Sequence, residues 1–236
     1  MIILKNGESI YNAPISPMLT IIDDDGHKRF YTDVVPIIQS KNVPIACSLI
    51  GRNIGVASSY MTWEQVDDAY SKGAEMINHT YQHYGEAEET RTSAEIFMDY
   101  QKNARLMYSH GIYTGNNILV YPGGSAHVAN VQVASKQFSF GAFHSSGNKN
   151  NDIGTDVYNI LRYRIDTDYH YDVTSLENLI DNCVRGWMVW VIHTSGSDWT
   201  NYSGASAIAS AIDYAKSKSI PIVTAEYGIK KLRGIE

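Results

Sequence analysis

The chain has 236 residues, 25 acidic and 19 basic side chains, a formal net charge of -6 and an apolar share of 44%. A chain of that length can bury most of its apolar surface in one core, so a soluble globular domain is expected; the composition excludes disordered and collagen-like classes. The acidic balance provides no basic footprint, so nucleic acid is not an expected partner, and no apolar run is long enough to span a membrane.

In chain order, residues 1–17 are irregular, with Pro14 and Pro17 interrupting any regular element, and read as an N-terminal arm or linker before a single domain over 18–236. From Met18 onward short apolar runs alternate with longer amphipathic ones, which is the rhythm of parallel strands covered by helices. The predicted class is α/β. Strands are expected at 18–22, 45–50, 75–77, 117–121, 138–143, 158–164, 188–192 and 220–224, and eight such segments suit a barrel. Thr62 with Gln65, Thr92 with Glu95 and Thr174 with Glu177 have capping-box spacing, while Gly73, Gly111 and Gly186 stand where helices should stop. Cys47 and Cys183 lie in apolar and helical stretches and read as buried thiols rather than a disulfide.

Four polar groups stand at predicted strand ends, where parallel α/β folds place their chemistry. The first is Asp23-Asp24-Asp25-Gly26, whose crowded carboxylates suit a divalent cation or, in the competing reading, a solvated turn. The second is Asn78-His79-Thr80-Tyr81-Gln82-His83, in which one helical turn would bring two imidazoles to the same side, a donor pair for Zn(II) or a similar metal. The third is His193, ending the apolar run from Trp187 to Ile192, with Val191 on the same strand face as an apolar wall. The fourth is Tyr121-Pro122-Gly123-Gly124, where small residues let backbone N–H groups approach a ligand.

Taken in this order, Asp24-Asp25-Gly26, His79 to His83, Pro122-Gly123-Gly124 and His193 resemble the polysaccharide deacetylase family, carbohydrate esterase family four, over Met18 to about Thr224. The resemblance implies a distorted (β/α)7-8 barrel and a hydrolase that removes N-acetyl or O-acetyl groups from a glycan such as a chitin-like polymer, peptidoglycan, a biofilm glycan or xylan. It implies Asp24 as general base and Asp25, His79 and His83 as ligands of a divalent metal, Zn first with Co, Ni or Mn as alternatives. It also implies the Gly123 N–H as oxyanion donor and His193 as general acid, with Tyr121, Pro122, Val191 and Trp199 meeting the substrate.

Two family features are absent. Val120 stands where an Arg usually orients the catalytic Asp, and no Asp-x-x-Asp-Trp assists the His. In their place is Arg162-Tyr163-Arg164-Ile165-Asp166, on which strand alternation puts Arg162, Arg164 and Asp166 on one face. Arg164 is the expected substitute partner of Asp24, and an exposed charged face is the alternative. Asp23, at a usually apolar family position, has no assigned role. Two rival functions remain: a metal-dependent hydrolase of a small non-sugar amide, and a non-catalytic carbohydrate-binding relative. A glycan substrate points to an extracellular, cell-surface or phage-borne setting, although the first residues lack a signal-peptide pattern.

Overall fold

Parallel strands buried on both faces read as unbroken apolar runs, and MLTIID and WMVWVI are the two longest in the sheet. The computed structural model describes residues 14–85, 90–124, 129–144 and 147–235, so most of the expected arm lies outside the described residues. Among the described residues seven strands form one parallel sheet: β1 (Met18–Asp23), β2 (Ala46–Leu49), β3 (Glu75–Asn78), β4 (Ile118–Val120), β5 (Gly141–Phe143), β6 (Tyr163–Arg164) and β7 (Trp187–Ile192). Their order is β5-β4-β3-β2-β1-β7-β6. β1 and β7 are paired along their whole length, from Met18 opposite Trp187 to Asp23 opposite Ile192.

The segment leading into β6 curls the sheet round on itself. Ile160 N–H donates to the Ala142 carbonyl (2.9 Å) and His144 N–H to the Ile160 carbonyl (2.8 Å), while β6 itself pairs with β7. This is the distorted barrel expected from the sequence, with one strand fewer. The predicted strand over 220–224 reduces to a single bridge between Ile222 and Leu19, because Pro221 has no N–H to continue a ladder. The predicted strand over 158–164 regularises only at Tyr163–Arg164.

Helices cover the sheet: α1 (Val35–Lys41), α2 (Trp63–Ser71), α3 (Ser93–Ser109), α4 (Ala129–Phe138), α5 (Ile165–Tyr169), α6 (Val173–Asp181), α7 (Ser197–Asn201), α8 (Gly204–Ser217) and α9 (Ala225–Leu232). The capping boxes at Thr62/Gln65 and Thr92/Glu95 form as expected. Thr174 instead lies inside α6, which is capped by Asp172 accepting the Ser175 N–H. An Asp two residues earlier reaches the free helix N–H first. Gly73 and Gly111 follow α2 and α3 with positive φ, whereas Gly186 stands before β7 rather than at the end of α6.

The main core lies between the outer sheet face and the helices, where Leu19, Ile21 and Trp190 meet Ile180, Ile208 and Ile212. A second cluster joins Ile22, Ile77, Val189 and Trp187 to Ile229 of α9. There Glu75 accepts the N–H groups of Ala225 (2.6 Å) and Glu226 (2.9 Å), fixing the start of α9. A Cβ on Gly228 would fall 2.2 Å from Trp187 Cε2, so only glycine lets α9 sit this close. Cys47 and Cys183 are both buried free thiols. Among the described residues no helix is long and apolar enough to cross a membrane.

Candidate active site

The three carboxylates at the end of β1 point in different directions, and the backbone explains why. Alternation turns Asp23 to the side of Leu19 and Ile21, and Asp24 to that of Ile22. Asp25 breaks the alternation with φ 84°, a left-handed conformation that its short polar side chain tolerates. Its Oδ1 lies 3.5 Å from His79 Nε2 and 3.7 Å from His83 Nε2, and the two Nε2 atoms are 3.2 Å apart.

The two imidazoles are brought together by a loop, not by the expected helical turn. Thr80 (φ 64°) and His83 (φ 52°) take left-handed conformations. Thr80 N–H donates to Asn78 Oδ1 (2.8 Å), and His83 N–H to Thr80 Oγ1 (2.9 Å). Three non-glycine residues held this way store of order 1 kcal/mol or more each, as binding sites often do. His79 Nδ1 faces the Val120 carbonyl at 2.9 Å. A carbonyl only accepts, so Nδ1 carries a proton and Nε2 is the atom turned to the cluster. Burial works to lower the His79 pKa, but Asp25 and Asp24 raise it, and a bound ion would take the place of any Nε2 proton.

This donor set fits a metal ion. One carboxylate and two imidazoles offer ligand atoms that all lie within 4.8 Å of one another. Ligands at about 2.0–2.2 Å from one tetrahedral ion stand about 3.4 Å apart, close to the separations found here. Burial, reinforced by the neighbouring His79, lowers His83 to about 4, so it is neutral and available as a ligand at neutral pH.

Asp24 is almost wholly buried and is held by Arg162, whose Nη1 and Nη2 donate to its two oxygens at 2.9 and 3.0 Å. Ser48 Oγ adds a third bond (2.9 Å), and Arg162 Nε donates to the His144 carbonyl (3.2 Å). Burial works to raise the Asp24 pKa, but the Arg162 charge and then His79 outweigh it and hold the carboxyl far below its usual range. His193 Nε2 lies 4.0 Å from Asp24 Oδ2, and its Nδ1 lies 2.5 Å from Asp166 Oδ2. Burial alone would lower the imidazole, yet Asp166 and Asp24 raise it to about 9. The site therefore holds an ionised carboxylate beside a protonated imidazole.

Several sequence expectations are corrected. Arg164 does not partner Asp24: its side chain is 47% exposed and binds Asp168 (2.8 Å). β6 is only two residues long and Arg164 already caps α5, so the alternation expected through residue 166 stops there. The guanidinium that meets Asp24 is that of Arg162, and Asp166, returned to the site by the first turn of α5, is the carboxylate that meets His193. The single strand face expected for Arg162, Arg164 and Asp166 does not form, since nothing in the sequence marks where the strand ends.

Two of the expected substrate contacts are core residues. Tyr121 is buried with its hydroxyl 2.8 Å from both Ser135 Oγ and the Tyr158 carbonyl. Trp199 is 2% exposed, donates from Nε1 to Asp33 Oδ2 (2.8 Å) and packs on Tyr171, so it offers no stacking surface. Val191 and Pro122 are also buried, and Val191, two residues before His193, is paired with Ile22 of β1. Gly123 is exposed, with φ 62°, in the 3-10 turn Pro122–Gly124. Asp23, which the sequence left without a role, is fully buried and accepts both the N–H and the hydroxyl of Thr194, each at 2.8 Å. Burial raises its pKa well above the usual value, against these two bonds.

Fold and site together define a parallel β/α protein whose strand ends gather a ligand cluster able to hold a metal and, beside it, a carboxylate–imidazole pair. More particularly, the chain belongs to the polysaccharide deacetylase family, whose model matches residues 12–138, more than half of the sequence. No curated protein matches the chain at a significant level. Among solved structures it is similar to the Xyl-CE4 domain of a multidomain xylanase from the hindgut metagenome of Trinervitermes trinervoides, at 16% identity and TM-score 0.65 over 93% of this chain and 92% of that one. A family 4 acetyl xylan esterase from Clostridium thermocellum, in complex with a cobalt ion, gives 16% identity and TM-score 0.62 over 92% of each chain. A CE4 family pseudoenzyme from Bacillus anthracis gives 14% identity and TM-score 0.68 over 93% of this chain and 67% of that one. At these identities the likeness establishes the fold alone.

Proposed function

We propose that the chain is a metal-dependent deacetylase that removes acetyl groups from an N-acetylated glycan. The observation that carries this reading is the pairing of Asp24, kept ionised by Arg162, with His193, kept protonated by Asp166, beside the Asp25-His79-His83 cluster. Two titratable groups pushed apart in pKa are what an acid–base hydrolysis needs. A binding-only relative would have no use for either partner.

Asp25, His79 and His83 would hold a divalent ion, with Zn(II) best matched to two imidazoles and a carboxylate and Co, Ni or Mn as alternatives. When bound, that ion supplies Lewis acidity toward the acetyl carbonyl and lowers the pKa of water. Asp24 accepts the proton of the attacking water, and Arg162 fixes its orientation through the two-pronged contact. His193 Nε2 gives its proton to the departing sugar nitrogen, leaving a neutral imidazole bound to Asp166. The Gly123 N–H donates toward the oxyanion. The stacking surface expected of Trp199 falls instead to Tyr84, which is exposed next to His83 in a groove along α3 that also includes Gln82, Met98 and Lys102. A cell-surface or phage-borne setting is part of the same proposal, because glycans of this kind lie outside the cell.

The test is acetate release from chito-oligosaccharides, acetylated xylan and peptidoglycan fragments, with Zn, Co, Ni or Mn added. Release from at least one of them, lost in Asp24→Asn with metal still bound, is the expected outcome. Metal uptake without acetate release from any of the three would instead favour the non-catalytic reading.

A further inference from the structure

A carboxylate carried into an apolar layer needs a reason, because burial penalises its charge by several kcal/mol unless it is fully bonded. Asp23 is such a group: it lies at 0% exposure on the helix side of β1, where its strand neighbours on that face are Leu19 and Ile21. Its two oxygens are both used on one residue, Thr194, through the backbone N–H and the hydroxyl. The remaining polar group of Thr194, its carbonyl, accepts from Arg29 Nη1 at 3.2 Å. Every hydrogen-bonding group of the residue that follows His193 is thereby fixed.

The register makes this arrangement matter. Asp23 is paired with Ile192, and Asp24 N–H donates to the Ile192 carbonyl at 3.0 Å, so consecutive residues of β1 meet consecutive residues leaving β7. On one face Asp24 meets His193, and on the other Asp23 grips Thr194. We infer that Asp23 is a positioning residue that acts through Thr194 to hold the His193 imidazole at its distance from Asp24, so that its proton reaches the leaving nitrogen. This rests on the deacetylase reading above. No bond is made or broken by Asp23 itself; the proton still moves from His193 Nε2 to the leaving nitrogen. An apolar residue at position 23 would fill the same space without gripping Thr194.

The prediction separates proton donation from general folding. An amide needs its leaving nitrogen protonated, whereas 4-nitrophenyl acetate releases a stable anion that does not. In Asp23→Leu, kcat for an N-acetylated chito-oligosaccharide should fall by about 10- to 100-fold, with KM and metal stoichiometry near wild type, and the ratio of amide to aryl-ester turnover should fall at least about fivefold. Asp23→Asn, which can still accept the Thr194 N–H and donate to its hydroxyl, should restore most of that ratio. Thr194→Val, which loses only the hydroxyl contact, should fall between. A second readout needs no turnover: the short His193–Asp166 hydrogen bond should give a far-downfield Nδ1–H proton resonance in the wild-type protein, displaced or broadened in Asp23→Leu and recovered in Asp23→Asn. An unchanged ratio with an unchanged resonance in a folded Asp23→Leu protein overturns the proposal, as does an equal loss on amide and ester. A wild-type protein that turns over neither substrate refutes the deacetylase reading instead, and the resonance then still decides whether Asp23 positions His193.

Discussion

Replacing Arg162 with methionine keeps most of its volume and removes the guanidinium. Arg162 is fully buried, so no water can take over its two bonds to Asp24, and the carboxylate is left with Ser48 Oγ alone. Removing one partner of a buried ion pair costs about 3–5 kcal/mol, because an uncompensated charge remains. At about 2–4 °C per kcal/mol for a domain of this size, Tm should fall by about 6–20 °C. The same change should raise the Asp24 pKa, because burial then meets fewer opposing charges, and should free the carboxylate from its fixed orientation, so that kcat falls by about 100-fold. Arg162→Lys keeps the charge but loses the fork and the bond to the His144 carbonyl, and should fall between wild type and Arg162→Met. Arg164→Met is the control: its ion pair with Asp168 is half exposed and should be worth no more than about 0.5 kcal/mol. Urea unfolding followed by tryptophan fluorescence measures all three. A loss below about 1 kcal/mol for Arg162→Met, or a larger one for Arg164→Met, would refute the assignment of Arg162 as the partner of Asp24.

Three further outcomes are expected. The alkaline limb of kcat/KM should lie near pH 9, where His193 loses its proton, and Asp166→Asn should move it to lower pH by removing the carboxylate that raises this imidazole; an unmoved limb would separate the two residues. Glu75 is raised by burial to about 7 from an ordinary value near 4.5, so the folded state holds its proton more tightly than the unfolded one. Its contribution is present in full below about pH 4.5 and is lost as pH rises through 7, of order 3 kcal/mol, so wild type should lose stability relative to Glu75→Gln across that window and the two denaturation profiles should not run parallel. Zn(II) at about 100 times its Kd should stabilise the protein by about 2.7 kcal/mol, read as a rise in melting temperature that chelator reverses and His83→Ala abolishes.

The fold was legible because its signals are local. The apolar runs of β1 and β7 and the capping boxes at Thr62 and Thr92 depend on nearest neighbours, and all appear in place. The candidate metal cluster was legible because Asp25, His79 and His83 follow strand ends, and the structure brings their ligand atoms within 4.8 Å of one another. What the sequence misplaced depends on where short elements stop. Arg162 and Arg164 differ by two positions on a strand that ends at the second of them, which sends one guanidinium into the barrel and the other into solvent. Trp199 and Tyr121 look like sugar platforms because aromatic side chains suit both sugars and cores, and only three-dimensional packing distinguishes the two uses.

The bond from Arg162 to Asp24 spans 138 residues, and the one from Thr194 to Asp23 spans 171. During synthesis, Asp25, His79 and His83 emerge within the first 83 residues, long before Arg162, Asp166 and His193. A partial translation product or a proteolytic fragment ending in α4 would keep all three candidate ligands and lack every one of those later groups. On the proposed mechanism, the acid–base pair is complete only once synthesis has passed Thr194 and the last β/α units have docked against the first.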